Sequence, residues 1–288
     1  MRVLAVGVAT LDIINTLGAY PQEDDELRAL AQRTGRGGNA TNTLVVLSRL
    51  GHDCSWAGML GDDAASRRIL HDLHEHQVNT QWVCVHPGGV TPTSCILSSQ
   101  ATGSRTIVHY RDLPEYDAAA FEAIDLTPFD WLHFEGRNVP ACEAMLKRVR
   151  QMLRPPTVSL EIEKPREDIE RLLPFADVVL ISRAYAAARG CADSERLFKL
   201  IRPLAGSALL FVAWGKAGGW LQTADGVNRH RPSLQPPVVV DTLGAGDVFN
   251  AGVIHGLLEG KAPVEALATA VRLAGEKCGR QGLCLAPE

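Results

Sequence analysis

Apolar positions along the chain follow two periods. Short runs rich in β-branched and other apolar residues predict strands over 3–8, 55–58, 131–134, 158–162, 178–181 and 208–213. Between them the spacing lengthens to that of a helix. Over 39–50, Ala40, Leu44, Leu47 and Leu50 recur on one helical face, and Gly51 supplies a left-handed stop. Residues 64–76 read as a second helix. Strands separated by helices call for parallel crossovers and a sheet covered on both faces, an α/β fold. Two stretches break the rhythm. Residues 10–32 and 93–110 hold strand-like runs without helical partners, and 94–99 and 105–110 flank a turn at 101–104, a hairpin pattern. The expectation is one domain over 1–288 with a small β-sheet projecting from it, formed by about 11–34 and 92–111. Such a sheet suits a lid, although two surface excursions without a role fit the pattern as well. No internal repeat, low-complexity tract or flexible linker divides the chain.

Composition narrows the setting. Hydrophobic residues make up 46% and charged residues 22%, enough apolar content for a sizeable core. A net charge of −4 argues against nucleic-acid or anionic-membrane partners while leaving room for a local basic pocket. No segment is apolar enough to span a bilayer. The first apolar residues run into Asp12 without a small-residue cleavage site, so they read as a buried strand and not a leader. The 7 cysteines are odd in number and contain no Cys-x-x-Cys, which points to reduced thiols in the cytoplasm. His71, His74 and His76 cluster on what should be a polar helix surface, with no partner ligands at metal spacing.

The richest chemistry lies in 237–252, PVVVDTLGAGDVFNAG. Residues 238–240 should form a strand. Gly244 and Gly246 allow a sharp turn and close ligand approach, and a helix should run from Asp247 to Leu258. Amides at a helix N-terminus form an anion site. A carboxylate there, Asp247, is unwelcome beside a phosphate unless an acceptor hydroxyl also needs a partner, as in phosphoryl transfer. A tight turn capped by Asp247 is the plainer alternative. The turn is neither a P-loop nor a dinucleotide fingerprint, and the protein-kinase motifs are missing. A second cluster, Arg36-Gly37-Gly38-Asn39-Ala40-Thr41-Asn42, opens the first large helix. Asn39 and Asn42 share a face and offer neutral donors and acceptors. With Asp12 after the first strand they suit a polyol, whereas Asn39 alone suits helix capping equally.

Together the early Gly-Gly-Asn-Ala-x-Asn and the late Asp-Thr-x-Gly-Ala-Gly-Asp resemble the two signature regions of the ribokinase (PfkB-type) carbohydrate kinases. The likeness covers essentially the whole chain. Within that family, Gly103-Ser104-Arg105, Glu135-Gly136-Arg137-Asn138, 161–167 (EIEKPRE) and 278–282 (CGRQG) resemble the ketohexokinase branch. The resemblance implies a ribokinase-like three-layer sandwich with a mostly parallel central sheet and a β lid. It also implies transfer of the ATP γ-phosphate to a sugar hydroxyl, with fructose going to fructose 1-phosphate. Asp12, Gly38, Asn39 and Asn42 would hold the sugar, and Asp247 would touch it and act as base. Gly244, Ala245 and Gly246 would line an anion hole. Arg105 on the lid, the turn Gly215, Lys216, Ala217 and Gly218, and Cys278 with Gly279 would meet the nucleotide. Mg2+ would accompany ATP, and many members respond to a monovalent cation such as K+, here with Asp241 as the candidate neighbour. At the place of the family's Asn-x-x-Glu this chain reads Ser182-Arg183-Ala184-Tyr185, so the usual route to Mg2+ is missing. The mechanism expected is that the amides of 243–246 stabilise the moving phosphoryl group while the helix dipole keeps Asp247 ionised at neutral pH. Rival readings are a kinase of the same fold for ribose, a nucleoside or a sugar acid, and a ligand-binding protein that has lost catalysis. The apolar face of the lid strands predicts a homodimer joined through the lids.

Overall fold

The computed structural model of the protein describes residues 1–283; Cys284, one of the seven cysteines, lies outside them. In chain order the elements are β1 (Arg2–Val6), β2 (Thr10–Leu17), β3 (Ala31–Gly37), α1 (Asn39–Arg49), β4 (Asp53–Gly61), α2 (Ala64–Glu75), β5 (Val78–His86), β6 (Val90–Ser99), β7 (Arg105–Asp112), α3 (Ala118–Glu122), β8 (Trp131–Glu135), α4 (Val139–Arg150), β9 (Thr157–Ile162), β10 (Val178–Ser182), α5 (Arg183–Ala188), α6 (Ser194–Ala205), β11 (Leu209–Ala213), β12 (Gly219–Gln222), β13 (Asn228–Arg231), α7 (Ala245–Leu258) and α8 (Pro263–Cys278).

Nine strands form the main sheet in the order β13-β12-β11-β10-β9-β8-β1-β4-β5. The seven from β11 to β5 run parallel, and β12 and β13 close one edge antiparallel. Burial on both faces explains why the inner strands are continuously apolar. Along β1, Leu4 and Val6 join one core cluster while Val3 and Ala5 join the other; Val179 and Ile181 of β10 alternate in the same way with Val178 and Leu180. One core is completed by α3, α4 and α6, the other by α1, α2, α7 and α8. The chain leaves β1 toward β4 and β5 on one side and later fills β8 to β11 on the other. That reversal leaves a crevice beyond the carboxyl ends of β1 and β8, the usual ligand position in an open parallel sheet.

The lid is a separate sheet of four strands, β3-β2-β6-β7. Two antiparallel pairs, β2 with β3 and β6 with β7, are joined by parallel pairing of β2 with β6. Its strands lie within 10–37 and 90–112. Two expectations need correction. The run 238–240 is not a strand: its three valines are more than half exposed on an irregular segment, so their β propensity has no neighbour to pair with. The run at 55–58 is the middle of the longer β4, whose first residue is too polar to count as apolar. The edge strands β5 and β13 carry too many polar residues to announce themselves by period, and β12 is too short.

Candidate active site

A cavity of about 600 Å3 opens between the lid and the carboxyl ends of the parallel strands. Asp12, Gly38, Asn39, Asn42, Arg105, Gly215, Lys216, Gly218, Gly244, Ala245, Gly246, Asp247 and Cys278 all line it. Of the residues expected at the site, only Ala217 and Gly279 are set back from its wall.

One wall is built where the lid meets α1. Asp12 sits on β2 opposite Gly35 and Ser94, almost fully buried, and accepts a hydrogen bond from Thr10 Oγ1 at 2.7 Å. Burial raises its pKa, partly offset by Thr10, Ser94 and the charges of Arg36 and Arg33. Gly38 precedes α1 with φ +105, and a Cβ there would lie 2.1 Å from the Val8 carbonyl oxygen. The chain therefore turns into α1 with its backbone pressed against the end of the first strand segment. Asn39 is not the helix cap: it is the first residue of α1, and its Nδ2 donates to Glu161 Oε1 at 3.1 Å.

Another wall of the cavity is the start of α7. Gly244, at φ +81, is the N-cap, and Asp247 occupies the first turn without capping it. Its carboxylate accepts from Asn42 Nδ2 at 2.6 Å. The capping alternative thus fails, and the two signature regions meet at one hydrogen bond. Asp247 is only 7% exposed. Burial pushes its pKa up to about 8; Asn42 and Arg36 pull it down, while Glu163 and Glu135 raise it. Desolvation outweighs the helix dipole here, so the carboxyl holds its proton to higher pH than the expected ionised state allowed.

The turn at 243–246 offers fewer free amides than expected. The Leu243 amide is already spent on Asp241 Oδ1 at 2.8 Å, and the Ala245 amide bonds back to Thr242 O at 3.3 Å. Helix geometry leaves the following amides, Gly246 and Asp247, without an acceptor inside α7. Arg105, the first residue of β7, reaches across from the lid and donates to Thr242 Oγ1 at 2.7 Å, beside this turn.

Two implied ions can be compared with the residues present. Ser182 Oγ donates to the Glu163 carbonyl, and the Tyr185 hydroxyl donates to Glu170 at 2.5 Å. Both groups are committed elsewhere, and this turn does not fit Mg2+. Beside Asp241, the fully buried Lys277 donates to its carbonyl oxygen at 2.6 Å and lies 3.5 Å from its carboxylate, while Arg33 Nη2 donates to the same carboxylate at 3.0 Å. These oxygens are already neutralised from within and do not fit K+.

Several site residues carried no role in the sequence reading. Glu135 ends β8 and holds the Val8 amide at 2.8 Å; Glu161, on β9, accepts from both Asn39 and Asn250, and its Oε2 is buried without a partner. Burial raises both carboxyls, Glu161 further through Asp247 and Glu135. The available signal was an acidic residue at or near the end of an otherwise apolar parallel strand, where ligands bind.

Buried acids facing a helix N-terminus, under a lid and beside polar sugar-type donors, define an ATP-dependent sugar kinase, and comparison with known proteins agrees. Residues 2–288 match the pfkB family carbohydrate kinase profile, and the chain belongs to that family. It is 40% identical to ketohexokinase of Mus musculus, with 98% of this chain and 97% of the relative covered. It is 30% identical to a fructokinase of Klebsiella pneumoniae, covering 84% of each chain. A crystal structure described as a putative ribokinase from Agrobacterium tumefaciens superposes with TM-score 0.85 at 25% identity, covering 98% of this chain and 92% of that one.

Proposed function

We propose that this sugar kinase acts on a ketohexose, converting fructose to fructose 1-phosphate with ATP as its magnesium complex. The observation that carries the reading is the full-length 40% identity to a ketohexokinase, which exceeds the 30% to a fructokinase. The sugar lies against Asp12, Gly38, Asn39 and Asn42. Asp247 orients the acceptor hydroxyl and takes its proton as the phosphoryl group moves. Because that transfer is loose, orientation and charge stabilisation outweigh proton abstraction. The turn of Gly244, Ala245 and Gly246 faces the transferring group. Arg105 leaves Thr242 for the phosphates, and the nucleotide runs past 215–218 toward Cys278 and Gly279, with Lys216 adding charge. The enzyme works as a homodimer in the cytoplasm. ADP release over a panel of fructose, ribose, adenosine and a sugar acid tests the acceptor. Fructose should give the highest kcat/KM; equal or better turnover of ribose would overturn the ketohexose assignment and leave the kinase standing.

A further inference from the structure

Arg36 is the last side chain of β3 before the glycine pair, and its side chain is 3% exposed. A buried guanidinium is costly unless every face is satisfied. Here Nε donates to Asp72 Oδ2 at 2.5 Å, and Nη1 donates to Thr41 Oγ1 at 3.2 Å and Asn42 Oδ1 at 2.7 Å. The last contact has a consequence for Asn42. Guanidinium has donors only, so the Asn42 amide must turn its oxygen toward Arg36 and its NH2 group away. On the far side is Asp247, whose Oδ2 receives that NH2 at 2.6 Å. With the amide reversed, the ionised Asp247 carboxylate, the form that can take the hydroxyl's proton, would face another oxygen and lose its anchor.

We infer that Arg36 is a positioning residue for phosphoryl transfer: it selects the orientation in which the Asn42 amide holds Asp247, and Asp72 on α2 holds Arg36 in turn. The inference rests on the reading of Asp247 as the base. It separates the two oxygens of that carboxylate, with Oδ2 tied to Asn42 and Oδ1 left to meet the acceptor hydroxyl. The charged groups facing Asp247 are Arg36 from β3, Glu135 from β8, Glu161 from β9 and Glu163 just beyond it. Arg36 is the cation of that set, so its removal also leaves the carboxyl among acids.

The test is Arg36→Met, studied by steady-state kinetics across pH, ATP binding by calorimetry and thermal melting. The kcat at neutral pH should fall at least ~10-fold, as expected for a loosened base. ATP affinity should stay unchanged, and the acid limb of the kcat profile should move to higher pH. Arg36→Lys keeps a buried cation but cannot span both Asp72 and Asn42, so it should fold and still lose kcat. Asp72→Asn retains an acceptor for Nε but removes the partner charge, so its kcat should fall less than that of Arg36→Met. Three results overturn the inference: an unshifted acid limb in Arg36→Met, full kcat in Arg36→Lys, or equal kcat losses in Asp72→Asn and Arg36→Met that track equal losses of melting temperature. The base reading has its own arbiter. An Asp247→Asn enzyme with near-normal kcat removes that reading whatever Arg36 does, whereas an inactive Asp247→Asn enzyme beside a normal Arg36 variant removes only the positioning role.

Discussion

At Asp247, burial has both a kinetic and a thermodynamic consequence. With the carboxyl pushed up to about 8, kcat should rise as the pH is raised through that region. Asp247→Asn keeps size and the contact with Asn42 but removes the base, and kcat should drop by about 10²–10⁴ with sugar binding retained; a near-normal kcat in a folded variant rejects the role. Stability should move the other way. The unfolded chain releases this proton near the ordinary value of 3.8, while the folded protein keeps it until about 8. Between those values the unfolded state binds fewer protons, so wild-type stability declines as pH rises. The melting temperature of Asp247→Asn relative to wild type should therefore climb from pH 5 to 8, and a flat difference would show that the carboxyl is not buried uncharged. Arg105 makes a narrower case. It donates to Thr242 beside the Gly244 turn, so Arg105→Ala should raise the KM for ATP by a factor matching loss of one charge-assisted contact, roughly 1.5–3 kcal/mol. A change confined to the sugar KM would reassign the residue to the acceptor.

At the scale of elements, the joint between β1 and α1 is the least forgiving part. Gly38→Ala sets a Cβ 2.1 Å from a backbone oxygen at a φ that side chains avoid. The expected loss is about 1–3 kcal/mol of stability together with weakened sugar binding; chemical denaturation and a sugar titration of the variant check both, and unchanged values would mean that the backbone relaxes freely. The same joint shows what the sequence made legible. Gly38, Asn39 and Asn42 stand together in one helical opening, and the late Gly-Ala-Gly-Asp stands at another, so both halves of the site were readable as local patterns. The inner parallel strands were readable too, because apolar runs need no context. What joins the halves was not. The Asn42 to Asp247 hydrogen bond spans most of the chain, and the pKa of Asp247 depends on Glu135 at the end of β8 and Glu163 just beyond β9. The valines at 238–240 misled for a related reason: strand propensity is expressed only where a neighbour offers hydrogen bonds, and the α8 end offers that segment a single carbonyl, Cys278 O.

At the scale of the molecule, the lid is unfinished as a surface. Val108 and Tyr110 share one face of its outer strand β7 and are more than half exposed, while Ile107 on the opposite face lines the cavity; a four-stranded sheet gains from having its outer face covered. Two lids face to face would cover them. Sedimentation at micromolar concentration should therefore show a dimer, and Val108→Glu should shift it toward monomer; a wild-type monomer would refute the pairing. Inside, Asp12, Glu135, Glu161 and Asp247 crowd one cavity with every carboxyl raised by desolvation. An anionic triphosphate entering such a place favours the protonated forms further. Asp247, with its carboxyl pushed up to about 8, is the group placed to take up a proton as nucleotide enters, and it must release that proton before it can accept one from the hydroxyl. The heat of ATP binding near pH 8 should accordingly depend on the ionisation enthalpy of the buffer, with net proton uptake. Each catalytic cycle would thus borrow protons from solvent and return them.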